Sequence, residues 1–424
     1  MAVLTVCGSA LLSACELSSV PAPKEPVPST GPTPTMAAPL DSTVLPQPTS
    51  TIAVLPRPRS SLEQPQRMKW RFVQAGVIVG TAAVGNGLVY FSDQDGNIFG
   101  LDSQTGQPRW QSNVVGSMTG TTVLAGSLVV VSANSVEMEG VRGGLVAVDA
   151  KTGDGVWSYP IGGEALTSPA FSDGLFYFGG SDSHLYAVDA STGKEKWRAK
   201  LDAPVNLDPV EESGVVYTGD RRGNLYAVDA TNGQVKWKSS FKSDLLTSPA
   251  VADGTVYVGV IVEGRVYALD AATGKVRREF KDVPPTDPPY VQPGYKADYL
   301  VTGPPSVADG VVYVGISFGQ IGGDAPDRRG YVYALDAASG KQRWEFVAES
   351  EVRTPPLAVG KAVYFAAQHG LLYAVDARSG QELWQFEVDA PISASPVAAD
   401  NTLYFGTWAD GFYALKLAEI FAQR

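Results

Sequence analysis

The sequence predicts an all-β fold: an eight-bladed β-propeller of four-stranded antiparallel blades. A repeated phrase and its spacing predict this fold. The phrase LYAVDASTGKEKW at residues 185–197 returns as LYAVDATNGQVKW at 225–237 and as LYAVDARSGQELW at 372–384. Successive copies are mostly 40 or 41 residues apart, and a period near forty is typical of propellers and solenoids.

The core of the repeat is an aspartate, then a glycine four residues later, then a tryptophan four residues after the glycine. The aspartates are Asp102, Asp149, Asp189, Asp229, Asp270, Asp336 and Asp376. The tryptophans are Trp110, Trp157, Trp197, Trp237, Trp344 and Trp384. Arg278 takes the tryptophan position once, and two of the intervals are longer, at 47 and 66 residues.

Each repeat is interpreted as four short strands. In one copy these are TSPAV, GTVYVGV, RVYALD and the run that carries the tryptophan position. The triplets ADG, SDG and ATG stand between strands, and Asp-Gly pairs are strong hairpin signals. Apolar residues follow one another without polar alternation, which indicates sheets covered on both faces. Blades packed between two neighbours meet this condition.

The phrase itself indicates architecture rather than catalysis. Asp189 is placed to accept backbone N–H groups of the turn that follows it. Gly193 supplies the left-handed conformation that closes the turn. Trp197 is expected to cover the interface with the next blade. Because the aspartates recur at equivalent points around a ring, we expect them to be structural.

The count of eight blades depends on how the ring closes. Trp70 lies forty residues before Trp110, and no full repeat precedes it. At the other end, ISASPVAADNTLYFGTWADGFYAL supplies three strands, and Lys416 then replaces the aspartate. We therefore expect the N-terminal strand around Trp70 to complete the last blade, which removes the exposed edges of the ring.

The VDAxTGxxxW repeats resemble the tryptophan-docking motifs of pyrroloquinoline-quinone (PQQ) propellers, over about residues 68 to 415. The resemblance implies the fold and two classes of function. One class is the quinoprotein dehydrogenases, and the other is the non-catalytic lipoproteins of the BamB type, which assist outer-membrane protein assembly. The dehydrogenases carry an adjacent cysteine pair, calcium ligands and an aspartate base. No cysteine follows Cys15 in this chain, and no residues match the calcium ligands.

Composition excludes several other functions. The net charge of −11 argues against nucleic-acid binding, because phosphate contacts need clustered lysine and arginine. Cys7 and Cys15 are the only cysteines, so the repeat region has no disulfide and no cysteine nucleophile. His184 and His369 fall at different repeat positions and make a weak metal or acid–base pair. We expect no catalytic residues and no metal or cofactor, with PQQ at the axial mouth as the alternative.

Residues 1–14 are predicted to be a signal peptide, because an apolar run too short to span a bilayer ends in small residues. Leu12-Ser13-Ala14-Cys15 resembles the bacterial lipobox, which implies lipidation of Cys15. The alternative is a buried apolar strand with an incidental cysteine. Residues 15–66 are predicted to be a disordered tether, since twelve prolines lie among many Ser and Thr residues. Residues 67–424 are assigned to the propeller.

The long intervals place extra residues on one face of the ring. In an antiparallel meander, the second-to-third-strand turns and the blade-to-blade connections emerge on the same face. The insertions are residues 281–299, 317–330 and 134–143. The expected partner-binding residues there are Tyr290, Tyr295, Tyr299, Phe318 and Trp408, because aromatic residues dominate protein interfaces. The alternative is that these loops only plug the channel mouth.

The function we expect from the sequence is a non-catalytic, lipid-anchored propeller that binds a protein partner in the bacterial cell envelope. Glu16 follows the lipidated cysteine where an aspartate would indicate inner-membrane retention, so outer-membrane attachment is expected where an outer membrane exists. A surface lipoprotein of a cell without an outer membrane is equally allowed. The alternatives are a quinoprotein dehydrogenase or small-ligand binder, and an extracytoplasmic sensor module.

Overall fold

The computed structural model describes residues 67–73, 76–114, 116–134, 143–241, 243, 246–261, 264–280, 297–320, 329–392, 394–409 and 411–417. Within these ranges the chain forms 33 β-strands in eight sheets, and no α-helix is among the elements. None of the described segments is a helix long and apolar enough to cross a membrane. The predicted all-β, eight-bladed propeller is confirmed.

Strand β1 (Met68–Phe72) comes first in the chain and belongs to the last blade. Blade one comprises β2 (Ile78–Gly85), β3 (Leu88–Asp93), β4 (Asn97–Asp102) and β5 (Pro108–Asn113). Blade two comprises β6 (Met118–Ala125), β7 (Leu128–Ala133), β8 (Gly143–Asp149) and β9 (Gly155–Ile161). Blade three comprises β10 (Ala170–Ser172), β11 (Leu175–Gly179), β12 (His184–Asp189) and β13 (Glu195–Lys200). Each of these three blades is an antiparallel meander.

The middle of the ring repeats this plan. Blade four comprises β14 (Val210–Glu212), β15 (Val215–Gly219), β16 (Asn224–Asp229) and β17 (Val235–Ser240). Blade five comprises β18 (Ala250–Ala252), β19 (Thr255–Val260), β20 (Arg265–Asp270) and β21 (Val276–Phe280). Blade six has five strands: β22 (Ala297–Val301), β23 (Ser306–Ala308), β24 (Val311–Gln320), β25 (Arg329–Asp336) and β26 (Gln342–Ala348).

The last two blades complete the ring. Blade seven comprises β27 (Leu357–Val359), β28 (Ala362–Ala367), β29 (Leu371–Asp376) and β30 (Glu382–Glu387). Blade eight comprises β31 (Val397–Ala399), β32 (Thr402–Gly406) and β33 (Phe412–Lys416), and β1 is its outer strand. Phe72 pairs with Phe412 and Trp70 with Ala414, so the two ends of the described chain meet in one sheet. The buried side chains of this blade pack on those of β2, β3 and β4.

The first strand of a blade is shorter than the TSPAV pattern predicts. In blade five it begins at Ala250, after Pro249, and spans three residues. Proline has no N–H to give to a ladder, so the strand starts after it. Blades one and two have Ala82 and Thr122 at the equivalent position, and their first strands β2 and β6 span eight residues each.

The core of the molecule lies between blades rather than within any one of them. Each of eight buried clusters combines side chains from two neighbouring sheets, such as Tyr177, Leu185 and Trp197 of blade three with Val216 and Tyr226 of blade four. Second and third strands are buried along nearly their whole length, as the unbroken apolar runs predict. We call the interface between two neighbouring blades a seam.

Candidate protein-binding face

The repeated turn is held by its aspartate. Asp189 Oδ1 accepts hydrogen bonds from Thr192 N at 3.0 Å and from Ser191 Oγ at 2.7 Å. Lys196 Nζ lies 3.1 Å from the other carboxylate oxygen. The hydroxyls of Ser191 and Thr192, together with this lysine, hold the pKa of Asp189 well below its usual range. Gly193 closes the turn with φ at 67°. The carboxylate is therefore fully engaged in local hydrogen bonds.

The tryptophans cross the seams. The Trp157 indole lies against Gly193 of the next blade, so a methyl group on that glycine would meet the ring within 2.8 Å. Its Nε1 donates to the backbone carbonyl that follows the next blade's aspartate, Ala190 O, at 2.9 Å. The same bond is made by Trp70 to Ser103, Trp110 to Ala150, Trp197 to Ala230, Trp237 to Ala271 and Trp344 to Ala377. Six of the eight seams thus share one indole contact.

Two seams depart from this rule. Between blades five and six, Arg278 replaces the indole and donates from Nη2 to Ala338 O at 2.6 Å and from Nη1 to Ser339 O. Between blades seven and eight, Trp384 is present and buried, but its Nε1 has no hydrogen-bond acceptor among the described residues. No aspartate–glycine turn lies opposite this indole, because Lys416 ends the third strand of blade eight.

Second-to-third-strand turns and blade-to-blade connections lie together on one side, which we call the loop-bearing face. Backbone bonds join a turn to the adjacent connection in six blades: Gln94 N to Val77 O, Asn134 N to Ser117 O, Ser181 N to Glu164 O, Arg221 N to Pro204 O, Gln368 N to Glu351 O and Trp408 N to Pro391 O. The described residues that flank the three predicted insertions lie at this end of their blades, and residues 281–296 and 321–328 lie outside the described residues. Residues 135–142, which make up most of the insertion in blade two, lie outside the described residues.

Two of the predicted loops are partly strands. Strand β22 pairs with the far half of β24, from Val301 opposite Ile316 to Ala297 opposite Gln320. In other blades a single isolated bridge, such as Val205 with Asp220, stands at this level. Residues 297–301 and 316–320 therefore extend blade six beyond the length of the other blades as a two-stranded sheet, which we call the raised sheet. Aromatic and β-branched residues in DYLV and ISF account for the strand.

The raised sheet places two predicted partner-binding residues opposite each other. Tyr299 on β22 pairs in register with Phe318 on β24. Phe318 is only 4% exposed and packs in the core between blades five and six. The expectation that Phe318 offers contact surface is therefore corrected: at the base of the extension its ring is enclosed by both blades. Tyr290 and Tyr295 lie outside the described residues, as does the side chain of Tyr299.

Trp408 lies in the turn between β32 and β33 and is 50% exposed. It is separated from the raised sheet by blade seven, so the structure does not bring it together with Tyr299. Val73, at the end of β1, is 68% exposed and lies beside the same turn. A methyl group on Gly411 of that turn would lie 3.2 Å from Val73 Cα. Val73 was not among the predicted partner-binding residues, because no local sequence signal marks the end of β1.

The two histidines stand apart. His184 Nδ1 lies 3.4 Å from Asp182 Oδ2 in blade three. His369 lies in a turn of blade seven, where its backbone N donates to Ser350 Oγ. Among the described residues, no group of three or more His, Cys, Asp or Glu side chains is placed to hold a metal ion. The histidines therefore do not form one site.

The first strands approach one another around the axis through a set of buried residues, which we call the axial belt. Its members are Thr81, Thr121, Ser168, Asp208, Ser248, Pro304, Pro355 and Ser395. Thr121 N donates to Ser168 Oγ at 2.9 Å, Ser168 N to Asp208 Oδ1 at 2.7 Å and Asp208 N to Ser248 Oγ at 2.9 Å. Each bond crosses one seam. Asp208 was not singled out by the sequence analysis, although LDPV at residues 207–210 replaces the TSPA of two other repeats.

The residues of the axial belt can be compared with what a bound PQQ and its calcium ion would need. All eight belt residues are buried, so at this level no exposed wall is offered to a flat ring system. A quinone–calcium pair needs several carboxylate or amide oxygens around one cation. The belt supplies one carboxylate, on Asp208, already bonded to Ser168 N. The eight belt residues alone therefore do not supply the oxygen ligands that a quinone–calcium pair needs.

The fold and the recurring indole contacts define a propeller of the PQQ-like class. The chain belongs to the family described as outer membrane protein assembly factor BamB, whose model matches residues 67–138, 119–207, 199–297 and 262–423. It is similar in structure to BamB from Moraxella catarrhalis, with a TM-score of 0.60, 16% identity and coverage of 82% of this chain and 100% of that one. At this identity the likeness shows the fold alone.

The enzymes of the class are similar as well. The quinohemoprotein alcohol dehydrogenase ADHIIG from Pseudomonas putida superposes with a TM-score of 0.59 and 17% identity, over 85% of this chain and 78% of that one. The dehydrogenase subunit of the quinone alcohol dehydrogenase from Gluconacetobacter polyoxogenes is 34% identical over 101 residues. That match covers 24% of this chain and 12% of the relative, so the chain spans a small part of the curated relatives it matches.

Proposed function

We propose that this chain is a non-catalytic scaffold of the bacterial cell envelope that binds a protein partner through its loop-bearing face. The observation that carries the proposal is that Trp408 and Val73 are both exposed and adjoin the same turn of blade eight, on the loop-bearing face. An exposed tryptophan is the kind of residue that anchors protein interfaces. Membership of the BamB family supports an envelope location and a part in outer-membrane protein assembly.

The anchor belongs to the same proposal. Lipidation of Cys15 would fix the chain to a membrane, and residues 15–66 would hold the propeller away from it, because proline-rich segments are extended. Cys7 provides a matched control, since it lies within the predicted signal peptide. Cys15→Ser should move the protein from the membrane fraction to the soluble fraction, and Cys7→Ser should leave it at the membrane. Equal behaviour of the two variants would contradict lipidation at Cys15.

Partner binding is tested by crosslinking in the intact cell, followed by purification and mass spectrometry. Trp408→Ala and Val73→Ser should each reduce recovery of the wild-type partner at equal expression. Val276→Ser is the control, because Val276 is 52% exposed and begins β21, at the opposite end of its blade. Recovery unaffected by Trp408→Ala and Val73→Ser would count against this part of the face.

A quinone-dependent dehydrogenase is the second candidate, favoured by the 34% identity over 101 residues to an enzyme of that class. The test is to add PQQ and Ca²⁺ to the purified chain. A change in quinone absorbance with dye-coupled oxidation of alcohols or sugars would establish this function. The belt geometry and the absence of any cysteine after Cys15 support the opposite outcome.

A further inference from the structure

The turns between first and second strands lie on the side opposite the loop-bearing face, which we call the lower face. Because the first strands surround the axis, these turns border its lower end. One first-strand position beside each turn is apolar and partly exposed in seven of the eight blades. These residues are Val84, Leu124, Phe171, Val251, Val307, Ala358 and Ala398. Phe171 is the most open of them, at 40%, and its ring centroid lies 4.9 Å from that of Phe176. The lower end of the axis is therefore lined by an apolar ring.

Carboxylates border this apolar ring. Those in the first-to-second-strand turns are Asp173, Glu212, Asp253, Asp309 and Asp400. Glu211 takes the apolar position in blade four, and Lys361 is the one cation of the eight turns. Burial raises the pKa of Glu212, and the carboxylates of Asp253 and Glu211 raise it further. The carboxylates of neighbouring blades thus lie close enough to repel one another.

The charge of this border is not balanced locally. Elsewhere on the lower face, aspartates of the third-to-fourth-strand turns pair with cations, as Asp189 does with Lys196. Within the described part of the chain, none of the six carboxylates around the axis forms an ion pair with a lysine or arginine. Turn geometry does not require the charge either, because Asn86 adopts in blade one a left-handed φ of 54°, close to the 49° of Asp253 in blade five.

An exposed apolar ring with a border of carboxylates has the chemistry of a docking surface for a cationic segment. Apolar side chains of such a segment would contact the ring, above all Phe171, and its lysine or arginine side chains would reach the carboxylates. We propose that the lower end of the axis in blades three to six, which we call the lower mouth, binds a basic segment of a partner protein. The same negative charge repels acidic segments.

The lower mouth is separate from the surface of the proposed function. Trp408 and Val73 lie on the loop-bearing face, at the other end of the blades, and neither carries a charge. A chain with both surfaces would hold two partners of different chemistry, one on each face of the ring. The inference stands whether or not Trp408 binds a partner, since it concerns different residues on the opposite face.

The test measures binding of a fluorescein-labelled peptide, Lys-Lys-Leu-Leu-Lys-Lys, to the purified chain by fluorescence anisotropy. The lower-mouth variant carries Asp173→Asn, Glu211→Gln, Glu212→Gln and Asp253→Asn. Its control removes as many charges from exposed carboxylates of the loop-bearing face, with Asp95→Asn, Glu164→Gln, Glu349→Gln and Asp389→Asn. Because the net charge changes equally in both variants, a general effect of charge cancels in the comparison.

The lower-mouth variant should bind the peptide about tenfold more weakly than the control variant does, because it lacks the complementary charges. Phe171→Ser should also weaken binding, and a peptide with glutamate in place of lysine should not bind the wild type. Circular dichroism identifies variants that do not fold. Equal affinities of the two charge variants would overturn the inference. So would Ca²⁺ binding at these carboxylates that excludes the peptide, or a dimer of the chain that only the lower-mouth changes dissociate, because either would assign the surface to another occupant.

Discussion

The guanidinium carbon of Arg67 lies 5.2 Å from the centroid of the Trp384 indole. Elsewhere a turn glycine covers the equivalent ring, as Gly380 covers Trp344. That turn joins the third and fourth strands of a blade, but in blade eight these strands are β33 and β1, from opposite ends of the described chain. A cation in contact with the ring therefore takes the place of the turn.

Replacement of Arg67 by alanine should lower the free energy of unfolding by about 1 kcal/mol, because a partly enclosed cation–π contact is lost. Arg67→Lys should retain part of this stability, since lysine also carries a cation. Urea denaturation of the three proteins measures the effect. An alanine variant as stable as the wild type would show that the contact contributes nothing.

The indole N–H of Trp197 should matter more than that of Trp384. Trp197 Nε1 bonds Ala230 O at 2.9 Å, whereas Trp384 Nε1 has no acceptor among the described residues. Phenylalanine keeps much of the apolar ring and removes the N–H. Trp197→Phe should therefore cost about 1 kcal/mol more than Trp384→Phe. Thermal and urea unfolding of both variants provide the comparison, and equal losses would contradict it.

The stability of the repeated turn should depend on acid pH. The neighbouring Arg109, with the hydroxyl and N–H of Thr105, lowers the pKa of Asp102 to about 2, from an ordinary value of about 3.9. Because the folded-state pKa is the lower one, the carboxylate stabilises the fold above about pH 4, and this contribution is lost as the pH falls toward 2. The difference in unfolding free energy between wild type and Asp102→Asn should therefore be largest near neutral pH and shrink across this range.

Alkaline pH should lower the stability of the fold by ionising buried tyrosine side chains. Burial, with Glu211 and Asp173 nearby, raises the pKa of Tyr177 to about 12, from an ordinary value of about 10. A raised folded-state pKa means that the contribution is complete below about pH 10 and is lost as the pH rises toward 12. Tyr177→Phe should flatten the loss of stability over this interval. Tyrosinate absorbance followed alongside circular dichroism shows whether ionisation accompanies unfolding.

Fluorescence should single out Trp408. It is 50% exposed, while the indoles of Trp70, Trp110, Trp197, Trp344 and Trp384 are at most 8% exposed. Iodide should quench one component of the wild-type emission strongly, and this component should be missing in Trp408→Ala. The melting temperature should stay within about 1 °C of the wild type, because surface substitutions change stability little. Quenching that persists in the variant would place the exposed indole elsewhere.

The fold was predictable because its determinants repeat. An aspartate, a glycine and a tryptophan at fixed spacing specify a turn and a seam contact, and seven copies of this turn leave little choice of architecture. What could not be predicted depends on contacts between distant segments. The pairing of Tyr299 with Phe318 and the packing of Phe318 under it follow from β22 joining β24. Arg67 is not part of any repeat, and only ring closure brings it to Trp384.

The position of the candidate face could be predicted from the sequence, but the residues exposed on it could be predicted only in part. Strand order places the insertions and Trp408 on one side, and this requires only an antiparallel meander. Which of their side chains are exposed depends on how far the strands of each blade extend, as the burial of Phe318 in the extended blade six shows. Val73 is exposed because β1 ends at Phe72, a boundary set by pairing with Phe412 rather than by any local signal.

The joint of β1 and β33 constrains how the protein is made. During synthesis β1 leaves the ribosome before any other strand described here, and its only sheet partner is the last to follow. Until β33 has been made, β1 has no strand to pair with, and blade one has no blade eight to pack against. A nascent chain arrested before residue 412 would thus display an open crescent with an apolar flank, the state in which a chaperone would have most to bind.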